Sequence, residues 1–201
     1  LQNAYQQLTT QANELRTLNQ ELELLSVTDP LTGLYNRRFF ERLMESELAQ
    51  SIRNDETISI VLLDIDNFKD INERHGHAGG DAVIRNVGRV ITEHVRHSDV
   101  ACRYGGDEFF ILCRQATISN AVGFADDLLH ALAMDSYHPS GMELGVTVSI
   151  GVATIPGVQP IATAEEFFHC ADEALRACKQ QGRNSVLHYS MLDHSQKSGT
   201  R

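Results

Sequence analysis

The sequence has no lysine- or arginine-rich run, and its 27 acidic and 17 basic residues among 201 give a formal net charge of −10. Duplex DNA and anionic membranes are bound through basic patches, so nucleic acid is not an expected partner. No apolar stretch approaches the ~18 residues of a membrane-spanning helix, and no signal-peptide pattern is present. We therefore expect no direct membrane contact in this chain.

Cysteine pairs with the spacing of metal or redox sites are also missing. None of the four cysteines stands in a C-x-x-C pattern, and two of them lie in strand-like apolar runs. Such thiols are typical of buried, reduced side chains in the cytoplasm. We expect a cytoplasmic chain, as in the output domain of a larger sensor protein, with reduced thiols at Cys102, Cys113, Cys170 and Cys178.

Residues 1–25 do carry a clear signal, a heptad pattern. Seven of its eight a and d positions are apolar, and Gln11 is the exception. The alternative is an amphipathic helix that packs on its own domain, but a narrow stripe with a period of about 3.5 residues favours a partner helix. The pattern predicts a parallel coiled coil that forms a homodimer. Its apolar members are Leu1, Ala4, Leu8, Leu15, Leu18, Leu22 and Leu25.

A turn at Pro30 and Thr32-Gly33 ends this helical pattern. The remaining chain is long enough for one main domain, and 42% hydrophobic residues is ordinary for a globular core. We predict three segments: a coiled-coil signalling helix at 1–27, a globular domain at 28–190 and a flexible polar tail at 191–201.

The globular segment alternates helical and strand-like patterns. Helices are predicted after Asn36, at 67–74, from Val83 onward, at 117–134 and at 164–181, with a glycine-broken turn at 76–80. Strands are predicted at 57–63, 146–152 and 185–189, and a hairpin around Gly105-Gly106 supplies two more. This order predicts an α/β (α+β) sandwich with a central, mostly antiparallel five-stranded sheet flanked by helices, in a ferredoxin-like or polymerase-palm-like arrangement.

The predicted hairpin places Asp107 and Glu108 at its tip. Taken alone, this pair is most simply a solvated acidic turn. In a palm-like sheet, however, the strand that ends at Asp64 lies beside the hairpin, so we expect three carboxylates to converge. Asp64 alone would be interpreted as a strand-end acid exposed to solvent. Such a cluster requires divalent cations, and oxygen-only ligands favour Mg²⁺ or Mn²⁺, as in two-metal phosphoryl transfer.

At these residues the sequence resembles the GGDEF family of diguanylate cyclases. The family's signature stands here as Gly105-Gly106-Asp107-Glu108-Phe109. The resemblance extends over residues 29 to 189, and its further matches, in family order and spacing, are residues 29–37, 64–69, 72–81, 96–99, 149–151 and 179–184. Two departures, Arg176 and Cys178, stand where the family usually has an aromatic residue and alanine. These departures concern helix packing or a local contact, and the residues implied for metal and phosphate binding are unchanged.

The resemblance implies a concrete reaction, in which two GTP molecules condense to cyclic di-GMP and release two pyrophosphates. Each domain would hold one GTP, and two domains would face each other. By the same resemblance, two Mg²⁺ or Mn²⁺ ions per site are bound by Asp64, the carbonyl of Ile65, Asp107 and Glu108. The implied catalytic residues are Asp107, Glu108 and Lys69, with Asp107 the candidate base for the attacking hydroxyl.

The family context also assigns the GTP contacts. Asn72 and Asp81 suit the guanine edge, although alone they favour a helix cap and a helix N-terminal acid. The candidate partners of the triphosphate are Lys69, Lys179 and Arg183. Lys179 and Arg183 are spaced one helical turn apart, as on one helix face. The alternative for all three is a solvated surface charge. The remaining predicted GTP contacts are Asn67, Phe68, Gly105, Gly106 and His77, the last with a local hydrogen bond as the alternative.

Arg96 and Asp99 match the family's R-x-x-D inhibitory motif, five residues ahead of Gly105. The resemblance implies a product site there, because arginine can stack on guanine and bond phosphate. The alternative is an ion pair between Arg96 and Asp99. For the whole domain, the main alternative is a catalytically inactive receptor for cyclic di-GMP or GTP. A structural dimerisation module and another nucleotidyl cyclase or polymerase-like activity are further alternatives.

Overall fold

The computed structural model describes Gln11 and residues 27–134, 146–157 and 160–192. Apart from Gln11, the predicted coiled-coil pattern of residues 1–25 lies outside these ranges, and so does the predicted tail beyond Leu192. No helix within the described ranges is long and apolar enough to cross a membrane.

A mixed six-stranded sheet forms the centre of the fold, in the order β1-β3-β4-β2-β5-β6. The four inner strands pair antiparallel, and the two edge pairs, β1 with β3 and β5 with β6, are parallel. The strands are β1 Tyr35–Asn36, β2 Ile58–Ile65, β3 Val100–Arg103, β4 Glu108–Arg114, β5 Val148–Ile155 and β6 Val186–His188. The predicted class is confirmed, but the predicted count of five strands was wrong. The extra strand, β1, has two residues, too few for an alternating pattern to be recognised.

Helices cover both faces of the sheet. They are α1 Arg37–Asn54, α2 Phe68–His94, α3 Ile118–Met134 and α4 Ala164–Gln180. Strand β2 is buried along all eight residues. Since side chains alternate along a strand, Val61 and Leu63 pack with α2 and α3, whereas Ile60 and Leu62 pack with α1 and α4. Two separate apolar cores therefore hold the sheet in place.

Local capping groups explain where helices α1 and α4 begin. The Asn36 side chain accepts a hydrogen bond from the Phe39 N–H at 3.0 Å at the start of α1. Helix α4 begins with a capping box between Thr163 and Glu166. Helix α2 is kinked at Gly76, whose φ of 69° and ψ of 173° are not helical. The predicted turn at 76–80 is therefore confined to one glycine.

A buried polar chain crosses the end of the sheet that lies away from the hairpin. The Ser59 and Thr154 hydroxyls are 2.7 Å apart, and His188 Nε2 lies 3.1 Å from the Thr154 hydroxyl. Burial lowers the pKa of His188. This imidazole is therefore held neutral between β5 and the residues after β6.

All four cysteines are buried and free, as expected from the sequence. Cys102 and Cys113 lie on the adjacent strands β3 and β4, and burial raises the pKa of both thiols. Cys178 in α4 donates to the Ile150 carbonyl at 3.2 Å. These thiols are packing groups, protonated at neutral pH.

Candidate active site

The site is built where β2 ends beside the hairpin of β3 and β4. In the sheet register, Asp64 is directly opposite Glu108 of β4 on one side and Ser149 of β5 on the other. Cross-strand partners have Cβ atoms about 5 Å apart. The hairpin itself forms as predicted, since the Tyr104 N–H donates to the Glu108 carbonyl at 2.8 Å. Two acids that are 44 residues apart in sequence thus become neighbours.

The electrostatics of these acids reflect their burial. Asp64 is 7% exposed, and burial raises its pKa, while Lys179, with Nζ 2.8 Å from Asp64 Oδ2, acts in the opposite direction. Burial also raises the pKa of Glu108, and the neighbouring Asp64 and Asp107 raise it further. The site therefore holds more negative charge than its protein environment compensates.

This donor set fits a hard divalent cation. Its ligating atoms are carboxylate and carbonyl oxygens, which Mg²⁺ and Mn²⁺ prefer, and a cation would relieve the repulsion that raises the pKa of Glu108. Within the described ranges, however, no group of three or more His, Cys, Asp or Glu side chains is arranged to hold a metal ion, so the predicted convergence of three carboxylates is not found there. Instead, Asp64 is bound to Lys179.

Backbone and side-chain contacts hold the hairpin tip in place. The Asp107 carbonyl accepts a hydrogen bond from the Ile65 N–H at 3.2 Å, which ties the tip to the end of β2. A Cβ atom added to Gly105 would lie 2.7 Å from Glu108 Oε2, so the glycine leaves room for this carboxylate. Arg103 donates to the Gly106 carbonyl at 2.9 Å and contacts Asp29 at 3.3 Å. Arg103 therefore links the hairpin to the turn before β1.

Helix α1 braces the hairpin from its other side. The Tyr104 hydroxyl donates to Glu41 at 2.8 Å, and the Arg37 guanidinium lies over the Tyr104 ring, 4.3 Å from its centroid. Burial and the bond to Glu41 raise the pKa of Tyr104 to about 12. No role in the site was predicted for these residues from the sequence. The only available signal was the four-residue spacing of Arg37 and Glu41, which form an ion pair at 2.7 Å.

The start of α2 presents main-chain N–H groups next to this edge of the sheet. Its N-cap, Asn67, has φ of 53° and makes no side-chain capping bond. The first helical residues, Phe68 and Lys69, follow it directly, and Lys69 is 88% exposed in its side chain, 3.7 Å from Glu73. Uncapped N–H groups at a helix start favour anions such as phosphate.

Asn72, one of the two predicted guanine contacts, lies farther along α2 against the residue that precedes the other, Asp81. A Cβ atom on Gly80 would overlap the Asn72 side chain, so Asn72 lies against the turn of helix that carries Asp81. Both residues lie inside α2, and neither caps the start or the end of that helix. The glycine leaves the space that Asn72 occupies. His77 follows the kink at Gly76 and is exposed.

Lys179 and Arg183 do not share a helix face, in contrast to the predicted arrangement. Helix α4 ends at Gln180, and Gly182, Arg183 and Asn184 then adopt φ values of 117°, 66° and 45°. Gly182 permits this left-handed reversal, so the helical spacing no longer applies beyond it. Lys179 points to Asp64 from the last turn of α4, whereas Arg183 is exposed on the loop that follows.

The comparison with protein families decides the assignment. A family model described as "Diguanylate cyclase, GGDEF domain" matches residues 26–185, which is most of the chain. The chain belongs to the GGDEF domain family. The predicted family is thereby confirmed.

Curated relatives of this GGDEF domain include cyclases and a response regulator. The chain is 35% identical over 171 residues to Diguanylate cyclase A of Treponema denticola, covering 84% of the chain and 46% of that protein. It is 37% identical over 172 residues to the response regulator PleD of Caulobacter vibrioides, covering 85% of the chain and 37% of that protein. The GGDEF chain thus spans less than half the length of these relatives.

Solved structures agree with the fold of this GGDEF domain. The crystal structure of the GGDEF domain of DgcB from Caulobacter crescentus, in complex with c-di-GMP, is 31% identical. It superimposes with a TM-score of 0.76 and covers 81% of this chain and 93% of that one. The arrangement of sheet and helices described above is therefore the arrangement of the family.

The R-x-x-D residues of the GGDEF domain lie at the other end of β3 from the hairpin. Four strand residues separate the two places, a length of about 13 Å. Asp99 accepts hydrogen bonds from the Ser98 hydroxyl at 3.1 Å and the Arg114 N–H at 3.3 Å. Within the described part of the chain, Asp99 forms no ion pair with Arg96, whose side chain is exposed. The alternative interpretation of the motif as an internal ion pair is therefore wrong.

Proposed function

We propose that this chain is a diguanylate cyclase, which condenses two GTP molecules into cyclic di-GMP. In each half-reaction the 3′-hydroxyl of one GTP attacks the α-phosphate of the other, and pyrophosphate leaves. The observation that carries the proposal is the opposition of Asp64 and Glu108 across β2 and β4, with Lys179 at 2.8 Å from Asp64. Family membership supports the same reaction.

Two Mg²⁺ or Mn²⁺ ions would be held by Asp64, the Ile65 carbonyl, Asp107 and Glu108. When bound, they would supply charge neutralisation at the α-phosphate and a lower pKa for the attacking hydroxyl. Asp107 is the residue that would accept the proton of the 3′-hydroxyl, because it stands at the tip of the hairpin. Lys179, with Nζ 2.8 Å from Asp64 Oδ2, offsets the charge of this carboxylate.

The nucleotide would lie along α2. Asn72 and Asp81 can satisfy the donors and acceptors of the guanine edge, and Asp81 excludes adenine because it cannot donate to the adenine N1. The main-chain N–H groups that follow Asn67, at Phe68 and Lys69, would meet the phosphates, together with the side chains of Lys69, Lys179 and Arg183. His77 would border the base, and Gly105 and Gly106 would contact the ribose and α-phosphate, with open space beside Gly106.

Two copies of the chain are needed for one catalytic cycle, because each GGDEF domain would bind one GTP. We assign the homodimer contact to the heptad residues of 1–25. The catalytic rate should then depend on the square of the protein concentration below the dimer dissociation constant. Insertion of partial and whole heptads before Ser26 should change the activity periodically, and a flat response would contradict this assignment.

The buried, free cysteines support a reducing, cytoplasmic setting.

A direct test is incubation of the purified chain with Mg²⁺ and either GTP or ATP, followed by mass analysis of the products. Cyclic di-GMP and pyrophosphate are expected from GTP, no cyclic product from ATP, and none from the Asp64→Asn variant. Binding of GTP or cyclic di-GMP without turnover would contradict the enzyme and favour the receptor alternative.

A further inference from the structure

Asp66 is a buried carboxylate that the proposed reaction does not use. It lies two residues after Asp64, at the end of β2, and is 5% exposed. Its Oδ1 accepts from the Ser149 hydroxyl at 2.7 Å, and its Oδ2 accepts from the Thr147 hydroxyl at 2.9 Å and from the Asn184 N–H at 3.1 Å. These three donors are two hydroxyls and one main-chain N–H. A buried carboxylate needs hydrogen-bond partners to replace water, and the convergence of three on this side chain suggests a specific task.

The bond to Asn184 reaches the loop that carries Arg183. Asn184 and Arg183 both have positive φ values, which are unfavourable for residues with a side chain. The conformation therefore needs contacts that hold it. On one side, the Arg183 N–H donates to the Cys178 carbonyl at 3.0 Å. On the other side, the Asn184 N–H donates to Asp66, so Asp66 provides the anchor that connects this loop to the end of β2.

We propose that Asp66 is a positioning residue, which holds the loop of residues 182–184 so that Arg183 faces the triphosphate of GTP. This inference rests on the proposed function, because it takes Arg183 as a phosphate contact. It also explains why two aspartates stand at the end of one strand. Asp64 belongs to the predicted metal site, and Asp66 sets the position of a cation that would bind the departing pyrophosphate.

Asparagine is the informative substitution at this position. Its amide oxygen can accept from both Thr147 and Asn184, while its NH₂ group donates to the Ser149 hydroxyl, which can reverse its role. Asp66→Asn therefore retains the anchor without the charge, whereas Asp66→Ala removes all three bonds. Ser149→Ala is the matched control, since it removes one bond of Asp66 and leaves the contact with Asn184 intact.

The first measurement is the steady-state rate as a function of GTP concentration. Asp66→Ala should raise KM about tenfold with a smaller change in kcat, as expected for lost alignment of a binding group. Asp66→Asn and Ser149→Ala should stay near the wild-type KM. In an Arg183→Ala background, Asp66→Ala should have little further effect, because both substitutions remove the same contact. Independent, multiplying effects of the two substitutions would overturn the inference.

The second measurement is hydrogen exchange of the amides at 182–185, which needs no catalytic activity. Exchange should be faster in Asp66→Ala and close to wild type in Asp66→Asn. Unchanged exchange in Asp66→Ala would overturn the anchor, whatever the kinetics. If exchange is faster in Asp66→Ala but Arg183→Ala keeps the wild-type KM, Asp66 does hold the loop, but Arg183 does not bind phosphate and the inference is contradicted in that part. Asp66→Ser, whose hydroxyl is too short to reach Asn184, replaces Asp66→Ala if that variant does not fold.

Discussion

The ammonium group of Lys179 lies 2.8 Å from the carboxylate of Asp64, and it joins the last turn of α4 to the end of the central strand. The Asp64 side chain is 10% exposed and that of Lys179 is 35% exposed, so the pair is only partly screened by solvent. Burial raises the pKa of Asp64, and the bond and charge of Lys179 oppose that effect. Lys179 therefore favours the ionised form of the acid that would bind metal.

Lys179→Met should shift the pH dependence of the reaction. Without the cation, the pKa of Asp64 rises further, so the acidic limb of kcat/KM against pH should move to higher pH. Lys69→Met is the matched control, because Lys69 is exposed and pairs with Glu73. Both variants should raise the KM for GTP, but only Lys179→Met should move the limb. An equal displacement in the two variants would contradict the role of the Asp64 pair.

Glu108→Gln should stabilise the metal-free protein at pH 7. The pKa of Glu108 is higher in the folded protein than in the unfolded chain. As pH rises, the unfolded chain therefore loses this proton first. Ionisation of Glu108 then lowers the free energy of unfolding at any pH above the ordinary glutamate pKa. The gain in Tm should disappear as pH falls below the ordinary glutamate pKa of about 4.3. Thermal unfolding in the presence of a chelator measures this difference in Tm. Glu45→Gln, at an exposed position, is the control.

The same variant tests the metal site. Added Mg²⁺ should stabilise the wild type by about 1.4 kcal/mol at ten times its Kd, and should stabilise Glu108→Gln far less. If Mg²⁺ raises the Tm of both proteins equally, the carboxylate of Glu108 is not a ligand.

Gly80→Ala should weaken GTP binding without a large loss of folded protein. The added methyl group would overlap the Asn72 side chain and displace it from its place against Gly80. We expect KM for GTP to rise about tenfold, which corresponds to about 1.4 kcal/mol of lost binding. Gly123→Ala, in α3, is the control because its methyl group would enter open space. That variant should keep the wild-type KM, and equal KM values in both variants would rule out the guanine role of Asn72.

His188 should make the fold sensitive to mild acid. Burial lowers its pKa, so as pH falls below the ordinary histidine pKa of about 6.5 the unfolded chain takes up a proton first and stability is lost. Urea midpoints measured at pH 7.5 and 5.5 should differ less in His188→Gln than in wild type. His130→Gln, an exposed position on α3, should retain the wild-type difference. An unchanged pH dependence in His188→Gln would exclude this imidazole as the cause.

Product inhibition should depend on Arg96. Its side chain is exposed and not paired with Asp99, so it is available to contact the guanine and phosphate groups of cyclic di-GMP. Initial rates with micromolar cyclic di-GMP should fall in wild type and be unaffected in Arg96→Ala. A wild type that is insensitive to product, or an Arg96→Ala variant inhibited to the same degree, would remove the proposed site.

Much of the site could be predicted because its signals are local. The hairpin follows from two glycines between apolar runs, and the place of Asp64 follows from the length of a buried strand. Strand β1 could not be predicted, because its two residues show no period. Arg183 was misplaced because four-residue spacing has meaning only inside a helix, and Gly182 reverses the backbone before it.

The sequence by itself determined the family, the layered sheet and the identity of the acids and cations, because hydrophobic period, turn residues and motif spacing are properties of neighbouring residues. Only the tertiary structure decided how these groups act on one another. The donors to Asp66 are Thr147, Ser149 and Asn184, which follow it in the sequence by 81, 83 and 118 residues. Lys179 contacts Asp64 because α4 packs on the sheet. Such contacts exist only once separate strands and helices are packed. The same packing buries Asp64 and Glu108 and thereby raises the pKa of both carboxyl groups.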